Sequence, residues 1–184
     1  MSVLRPSLVL LGVFTLLTGL VYPLLVTGVA QALFPGQANG SLIRQGDEIR
    51  GSRLIGQSFS EPRYFWSRPS ATSPVAYNGA SSSGSNQGPL NPALLVAVQQ
   101  RVAALRVADP DNKAPIPVDL VTASASGLDP HSSPAAALYQ VNRVAKARGM
   151  QPHAVEQLVL AHDEGRTLGL FGETRVNVLE LNLV

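Results

Sequence analysis

One membrane-spanning helix followed by a single α/β (α+β) soluble domain, with a small sheet and about three helices, is the fold class the sequence predicts. Three observations carry it. Ser7 to Phe34 is a run of 28 residues without a charge. The 150 residues after it suit one domain with its own core. Within those residues, strand-like segments and capped helical periodicities follow one another.

The apolar run exceeds the roughly 20 residues that cross a bilayer core. Hydrocarbon offers the backbone no water, so a helix must satisfy its own amides. Arg5 precedes the run, and Pro35 and Gly36 stop it. A cleaved signal peptide is the rival reading, with Ala30-Gln31-Ala32 as its cleavage site. Such peptides, however, have apolar regions of only about 7–15 residues. A buried core helix of this length exceeds what one modest domain can wrap. The expected organisation is therefore a tail and transmembrane helix at 1–34 and a soluble domain at 35–184.

Gly12, Thr15, Gly19, Tyr22 and Val26 recur at steps of three and four. That spacing lines small residues along one stripe, where a partner helix can come close. Pro23 lies beside the stripe and is expected to kink the helix. Orientation is poorly encoded. Arg5 lies before the span and Arg44, Arg50 and Arg53 after it, but the positive-inside rule weakens for segments longer than about 60 residues.

Leu42, Ile43, Ile49, Leu54 and Ile55 mark strands around a turn at Gln45-Gly46-Asp47. Residues 58–92 form a long Ser/Pro/Gly-rich loop. Its aromatic residues Phe59, Tyr64, Phe65, Trp66 and Tyr77 predict order over 59–78, because disordered segments are poor in aromatics. Ser81 to Gly88 reads as mobile. Asn91-Pro92 starts a helix to about Ala108, with Leu94, Leu95, Val98, Val102 and Leu105 on its apolar face. Val118 to Thr122 reads as a strand. Ser133-Pro134 starts a second helix to Arg148, stopped by Gly149. A third runs from Pro152 to about His162. Alternation from Val176 to Leu183 reads as a closing strand.

Several functions are excluded by what is missing. There is no cysteine, hence no disulfide or thiolate metal site. Thirteen of the 14 basic residues follow the span and face 12 acidic ones, so the domain is near neutral and lacks a nucleic-acid stripe. No phosphate-binding G-x-x-x-x-G-K-[ST] loop occurs, and no phosphorylatable Asp in a D-K-T-G context. His131, His153 and His162 are too scattered for a metal site. Thr122 to His131 does place Ser124, Ser126, Asp129 and His131 together. A membrane-anchored hydrolase would use Ser124 or Ser126 as nucleophile with Asp129 and His131. The G-x-S-x-G elbow is absent, and small residues at a strand-to-helix turn explain the segment equally.

LRPSL at 4–8, VYPLL at 21–25, QANGSLI at 37–43, GSRLIGQSF at 51–59 and YFWSRPSAT at 64–72 occur in order. VDLVTASASGLDPHSSPAAA at 118–137, VNRVAKARG at 141–149 and VNVLELNL at 176–183 complete a set covering nearly the whole chain. Together they resemble the C subunit of the Kdp potassium-transporting P-type ATPase of bacteria and archaea. The resemblance implies a non-catalytic accessory subunit of an ATP-driven potassium-uptake pump. Its partners would be a potassium-channel-like subunit and a P-type ATPase subunit that hydrolyses ATP. It implies a single-pass protein of the cell (inner) membrane, N-terminus cytoplasmic and soluble domain extracytoplasmic or periplasmic. It further implies a role in assembly, and a proposed role as a catalytic chaperone raising the partner's ATP affinity. No stably bound cofactor is expected. ATP in a transient complex would meet the polar residues Gln57, Ser124, Ser126, Asp129 and Gln140, which match the family's motifs. The missing nucleotide loop agrees with a non-catalytic role. An exported, cleaved binding protein is the remaining alternative.

Overall fold

Proline at position 23 shapes the first element of the chain. The computed structural model describes residues 3–184, so the first two residues of the expected 1–34 segment lie outside the described residues. One helical run, Leu4–Leu33, covers 30 residues and has no buried residue in its most apolar window. It comprises α1 (Leu4–Leu16), a π-helical turn (Leu17–Val21) and α2 (Tyr22–Leu33). Pro23 has no N–H to give, and its ring would crowd the carbonyl four residues back. The helix answers with one wide turn, closed by Tyr22 N–H donating to the Leu17 carbonyl. Thr18 Oγ1 also donates to the Phe14 carbonyl at 2.6 Å. The expected kink thus takes the form of a π turn in a helix that continues. The spacing that puts Gly12, Thr15, Gly19, Tyr22 and Val26 on one face assumes 3.6 residues per turn, and the wide turn interrupts it between Thr15 and Tyr22.

The chain divides into two compact units, Met1–Arg50 and Gly51–Val184. The first closes with α3 (Pro35–Ala38) and a hairpin of β1 (Leu42–Gln45) and β2 (Glu48–Ser52), which carries the chain into the second unit. Gly46, at φ +63°, sits in the expected hairpin turn.

The second unit holds α4 (Pro92–Ala108), β3 (His131–Ser132), α5 (Pro134–Tyr139), α6 (Val141–Arg148), α7 (Pro152–Ala161), β4 (Asp163–Glu164), β5 (Arg175–Asn177) and α8 (Val178–Asn182). Strand β5 is central, antiparallel to β3 on one side and to β4 on the other. The main core joins Phe65 to Val141, Val144 and Ala145 of α6, Val155 and Val159 of α7, Val176 of β5, and Val178 and Leu181 of α8. A second cluster, Leu105, Leu120, Val121 and Ala136, seats α4 with Trp66, Val98 and Val102.

Helix α4 has the expected bounds, with the Asn91 side chain accepting from Ala93 N–H. Three other elements differ from expectation. Val118 to Thr122 is no strand: Val118–Leu120 is a 3-10 turn after Pro117, and Thr122 Oγ1 donates to the Val118 carbonyl at 2.8 Å. The long helix from Pro134 to Arg148 is two helices broken at Gln140. There the side-chain Nε2 donates to the Ala136 carbonyl, while the backbone N–H turns to Ala137. The closing segment is a strand only as far as Asn177. The Asn177 side chain then accepts from Glu180 N–H at 3.2 Å and starts α8. Asn177-x-x-Glu180 is a helix-start signature that the alternation of Val176 and Val178 obscured.

Candidate functional site

The segment 59–84 has no regular secondary structure, yet it is fastened residue by residue. Asn182 bonds both backbone groups of Phe65, accepting from its N–H at 2.8 Å and donating to its carbonyl at 2.9 Å. Gln140 does the same for Trp66, at 2.7 and 3.2 Å. Two buried carboxamides therefore replace a neighbouring strand. Arg143 donates to the Pro62 and Tyr64 carbonyls and to Gln140 Oε1, with its guanidinium 4.5 Å from the Trp66 ring centroid. These partners are neutral, and burial pushes the Arg143 guanidinium down to about 10 despite nearby Asp109.

Beyond Trp66 the segment packs on the turn 124–129. Ser70 Oγ donates to the Gly127 carbonyl at 2.7 Å, Ser124 N–H to the Pro69 carbonyl at 3.1 Å, and Tyr77 OH to the Arg68 carbonyl. Ser83 N–H and Ser82 Oγ both donate to the Ser126 carbonyl, at 3.0 and 2.9 Å. This part of the tract read as mobile is thus tied to the turn.

That packing opens a cleft of about 580 Å³ between Arg68, Asp119, Asp129, His131, Ser133 and Arg175, among others. A chain of ionisable side chains starts in it and continues beyond it. Arg68 Nη1 lies 3.4 Å from Asp129, which lies 3.4 Å from His131 Nδ1. His131 Nε2 is 3.9 Å from Glu164, which Arg53 and Arg175 hold at 2.6 and 3.1 Å. Arg53 also reaches Glu180 at 3.1 Å. Burial pushes the Asp129 carboxyl up, but His131 and Arg68 outweigh it and leave the group below its ordinary value. Glu164 is likewise raised by burial and carried below its ordinary value by Arg53, His131 and Arg175. Among the described residues, no group of three or more His, Asp or Glu side chains is placed to hold a metal ion.

The structure brings Ser124, Ser126 and Asp129 together on one turn and puts Gln57 and Gln140 elsewhere. Ser124 Oγ accepts from Gly127 N–H at 2.9 Å and is buried. Ser126 Oγ accepts from Leu128 N–H at 3.1 Å. Asp129 Oδ1 accepts from His131 N–H at 3.0 Å. Both hydroxyls close the turn while His131 faces carboxylates, so the turn-building reading of this segment fits better than a nucleophile. Gln57 lines a separate hollow with Ser52, Ile55, Gly56 and Tyr77. Gln140 is 1% exposed, and its amide is taken up by Trp66, Ala136 and Arg143. Residue-by-residue reading missed Arg68, Arg53, Glu164 and Arg175, which come from three distant segments. The aromatic content around Arg68 was the only local sign that its loop is ordered.

The family model for the K+-transporting ATPase c chain, KdpC, matches residues 4–184. The chain belongs to the KdpC family. It is 65% identical over 179 residues to the potassium-transporting ATPase KdpC subunit of Herpetosiphon aurantiacus, covering 97% of this chain and 93% of that one. It is 63% identical over 179 residues to the KdpC subunit of Methylococcus capsulatus, covering 97% and 94%. The KdpC subunit of Dechloromonas aromatica is 62% identical over 182 residues, covering 99% and 95%. In this KdpC-family chain, the segment YFWSRPSAT supplies Phe65, Trp66, Arg68 and Ser70, and the segment around Gly127 supplies the turn they grip. Two of the motifs that carried the resemblance, at 64–72 and 118–137, are thus fastened to each other.

Proposed function

We propose that this KdpC-family subunit of a potassium-transporting ATPase is non-catalytic and holds the complex together. In this reading a channel-like partner subunit selects potassium and a P-type ATPase partner hydrolyses ATP. The observation that carries it is the open face of the span. Nothing lies within 4 Å of where a Cβ would stand at Gly12 or Gly19. The span therefore leaves room for another helix backbone beside Gly12 and Thr15 and, across the wide turn, beside Gly19, Tyr22, Pro23 and Val26. The soluble domain, taken as 35–184 behind a tail and helix at 1–34, lies on the extracytoplasmic side in this reading. Its length frees it from the hold of Arg44, Arg50 and Arg53.

The test is co-purification of the assembled complex from membranes. Gly19→Leu should lower recovery of the channel-like subunit, since the added side chain meets nothing in its own chain. Unchanged recovery overturns the packing face.

A chaperone role, raising the partner's affinity for ATP, is the second reading. Arg68 and Arg175 give the cleft two cationic side chains, and Asp129 adds one of the expected contact residues. Three points weigh against nucleotide contact. The Asp129 carboxylate, held ionised, repels a triphosphate, and the amide of Gln140 is already filled. An extracytoplasmic domain would also be across the membrane from ATP. Arg68→Ala should leave the ATP concentration dependence of the assembled pump unchanged under the assembly reading. A several-fold rise in the ATP requirement would favour the chaperone.

A further inference from the structure

The hairpin between β4 and β5 ends in an arm that none of the described residues covers. Residues 165–174 are all exposed. Leu168, Leu170 and Phe171 are 85%, 75% and 65% exposed at its tip. The arm is built: Thr167 N–H and Phe171 N–H exchange bonds with the opposite carbonyls at 2.9 and 3.0 Å, and Arg166 pairs with Glu173 at 2.7 Å. Leu168, at φ +55°, adopts a conformation disfavoured for a side-chain-bearing residue. The fold thus holds three large apolar side chains outward on a stiffened, convex tip.

We propose that this tip dips into the interfacial layer of the lipid bilayer. The inference rests on the chain's own anchor and is independent of the assembly reading above. Leu33, the end of the span, is 18 residues from Gly51, a tether of at most about 65 Å. A bilayer surface is therefore always within reach of the domain. Three side chains are far too small a patch for a stable protein interface, which buries about 800 Å² per partner. They are enough once tethering makes the contact intramolecular. The chemistry also suits an interface: Leu and Phe enter the acyl boundary while Arg166, at the base of the arm, meets headgroup phosphates.

The absence of cysteine makes the test clean. Leu170→Cys in the full chain, labelled with an environment-sensitive nitrobenzoxadiazole dye, is reconstituted in phosphatidylethanolamine–phosphatidylglycerol nanodiscs. Blue-shifted emission, and loss of intensity when a spin-labelled lipid is included, are expected. A dye at exposed Gln100→Cys of α4 should show neither. Leu168→Ser with Phe171→Ser should return the dye at 170 to water-like emission. Water-like emission at 170 without these changes overturns the proposal. So does a blue shift that appears only with the partner subunits present and resists the spin-labelled lipid, because the tip then docks on protein.

Discussion

Gln140 grips Trp66 by both of its backbone groups, Oε1 accepting from the Trp66 N–H at 2.7 Å and Nε2 donating to the Trp66 carbonyl at 3.2 Å. The same carboxamide bonds the Ala136 carbonyl and Arg143. It therefore breaks the helix between α5 and α6 and fixes the loop across from that break.

Removing this amide should be expensive. Gln140→Leu keeps the bulk but strands the Trp66 N–H, the Trp66 carbonyl and one end of Arg143. With about 1–3 kcal/mol for each buried group left unsatisfied, a loss of about 3–5 kcal/mol is expected. Urea unfolding of the detergent-solubilised chain checks it. A loss below about 1 kcal/mol would mean that water replaces the amide.

Gly127→Ala and Gly149→Ala form a matched pair. Both glycines have φ near +68°, but a Cβ at Gly127 would stand 2.5 Å from Thr72 Cγ2 and 2.6 Å from the Ser83 carbonyl, whereas Gly149 meets nothing. Gly149→Ala should cost about 1 kcal/mol, the conformational term alone. Gly127→Ala should cost more than about 2 kcal/mol and loosen the segment around Ser83, read by thermal unfolding and amide exchange. Equal losses would show that the turn has room to spare.

The helical half of the fold was legible because its start signals are local. Asn91-Pro92, Ser133-Pro134 and Gly149 each act within one turn of the chain. The β-branched run at Val118–Thr122 read as a strand because nothing local says whether a partner strand exists, and Pro117 and Thr122 close a turn instead. The closing segment misled for a related reason: Val176 and Val178 alternate, while Val178 and Leu181 also fit a helix, and the capping Asn177 decides between them. Of the site, the cluster Ser124, Ser126 and Asp129 was visible because it is contiguous. Its partners Arg68, Glu164 and Arg53 come from segments distant in the chain, and the binding of Gln140 to Trp66 spans 74 residues. No spacing rule reaches that far.

Asn177 tests the cap that sequence alternation hid. Asn177→Ala removes the bond from Glu180 N–H and frees the Arg53 carbonyl, which its Nδ2 bonds at 2.9 Å. A loss of about 2–3 kcal/mol is expected from cap and buried amide together. Asn177→Asp should retain the cap and recover part of that loss. If Asp and Ala are equally harmful, the bond to Arg53 dominates.

The charge chain predicts acid sensitivity. Asp129 and Glu164 both lie below their ordinary values of 3.8 and 4.5 in the folded protein. The unfolded chain therefore binds protons first. Their contribution to stability is complete above about pH 5 and is lost as pH falls through those values and below. Asp129→Asn with Glu164→Gln should lower stability at pH 7 and flatten its fall between about pH 5 and 3. A double variant with the wild-type pH slope would place the acid sensitivity elsewhere.

The grip of Asn182 on Phe65 bridges 117 residues, and that sets an order of events during synthesis. The ribosome will have threaded the span and delivered the aromatic loop long before its carboxamide partner is made. Until then Phe65 has a hydrophobic side chain with no complete pocket and a backbone with no mate. The domain cannot close around Phe65 before α8 is made. A chain in that condition holds its aromatic loop without the Asn182 grip until α8 is in place.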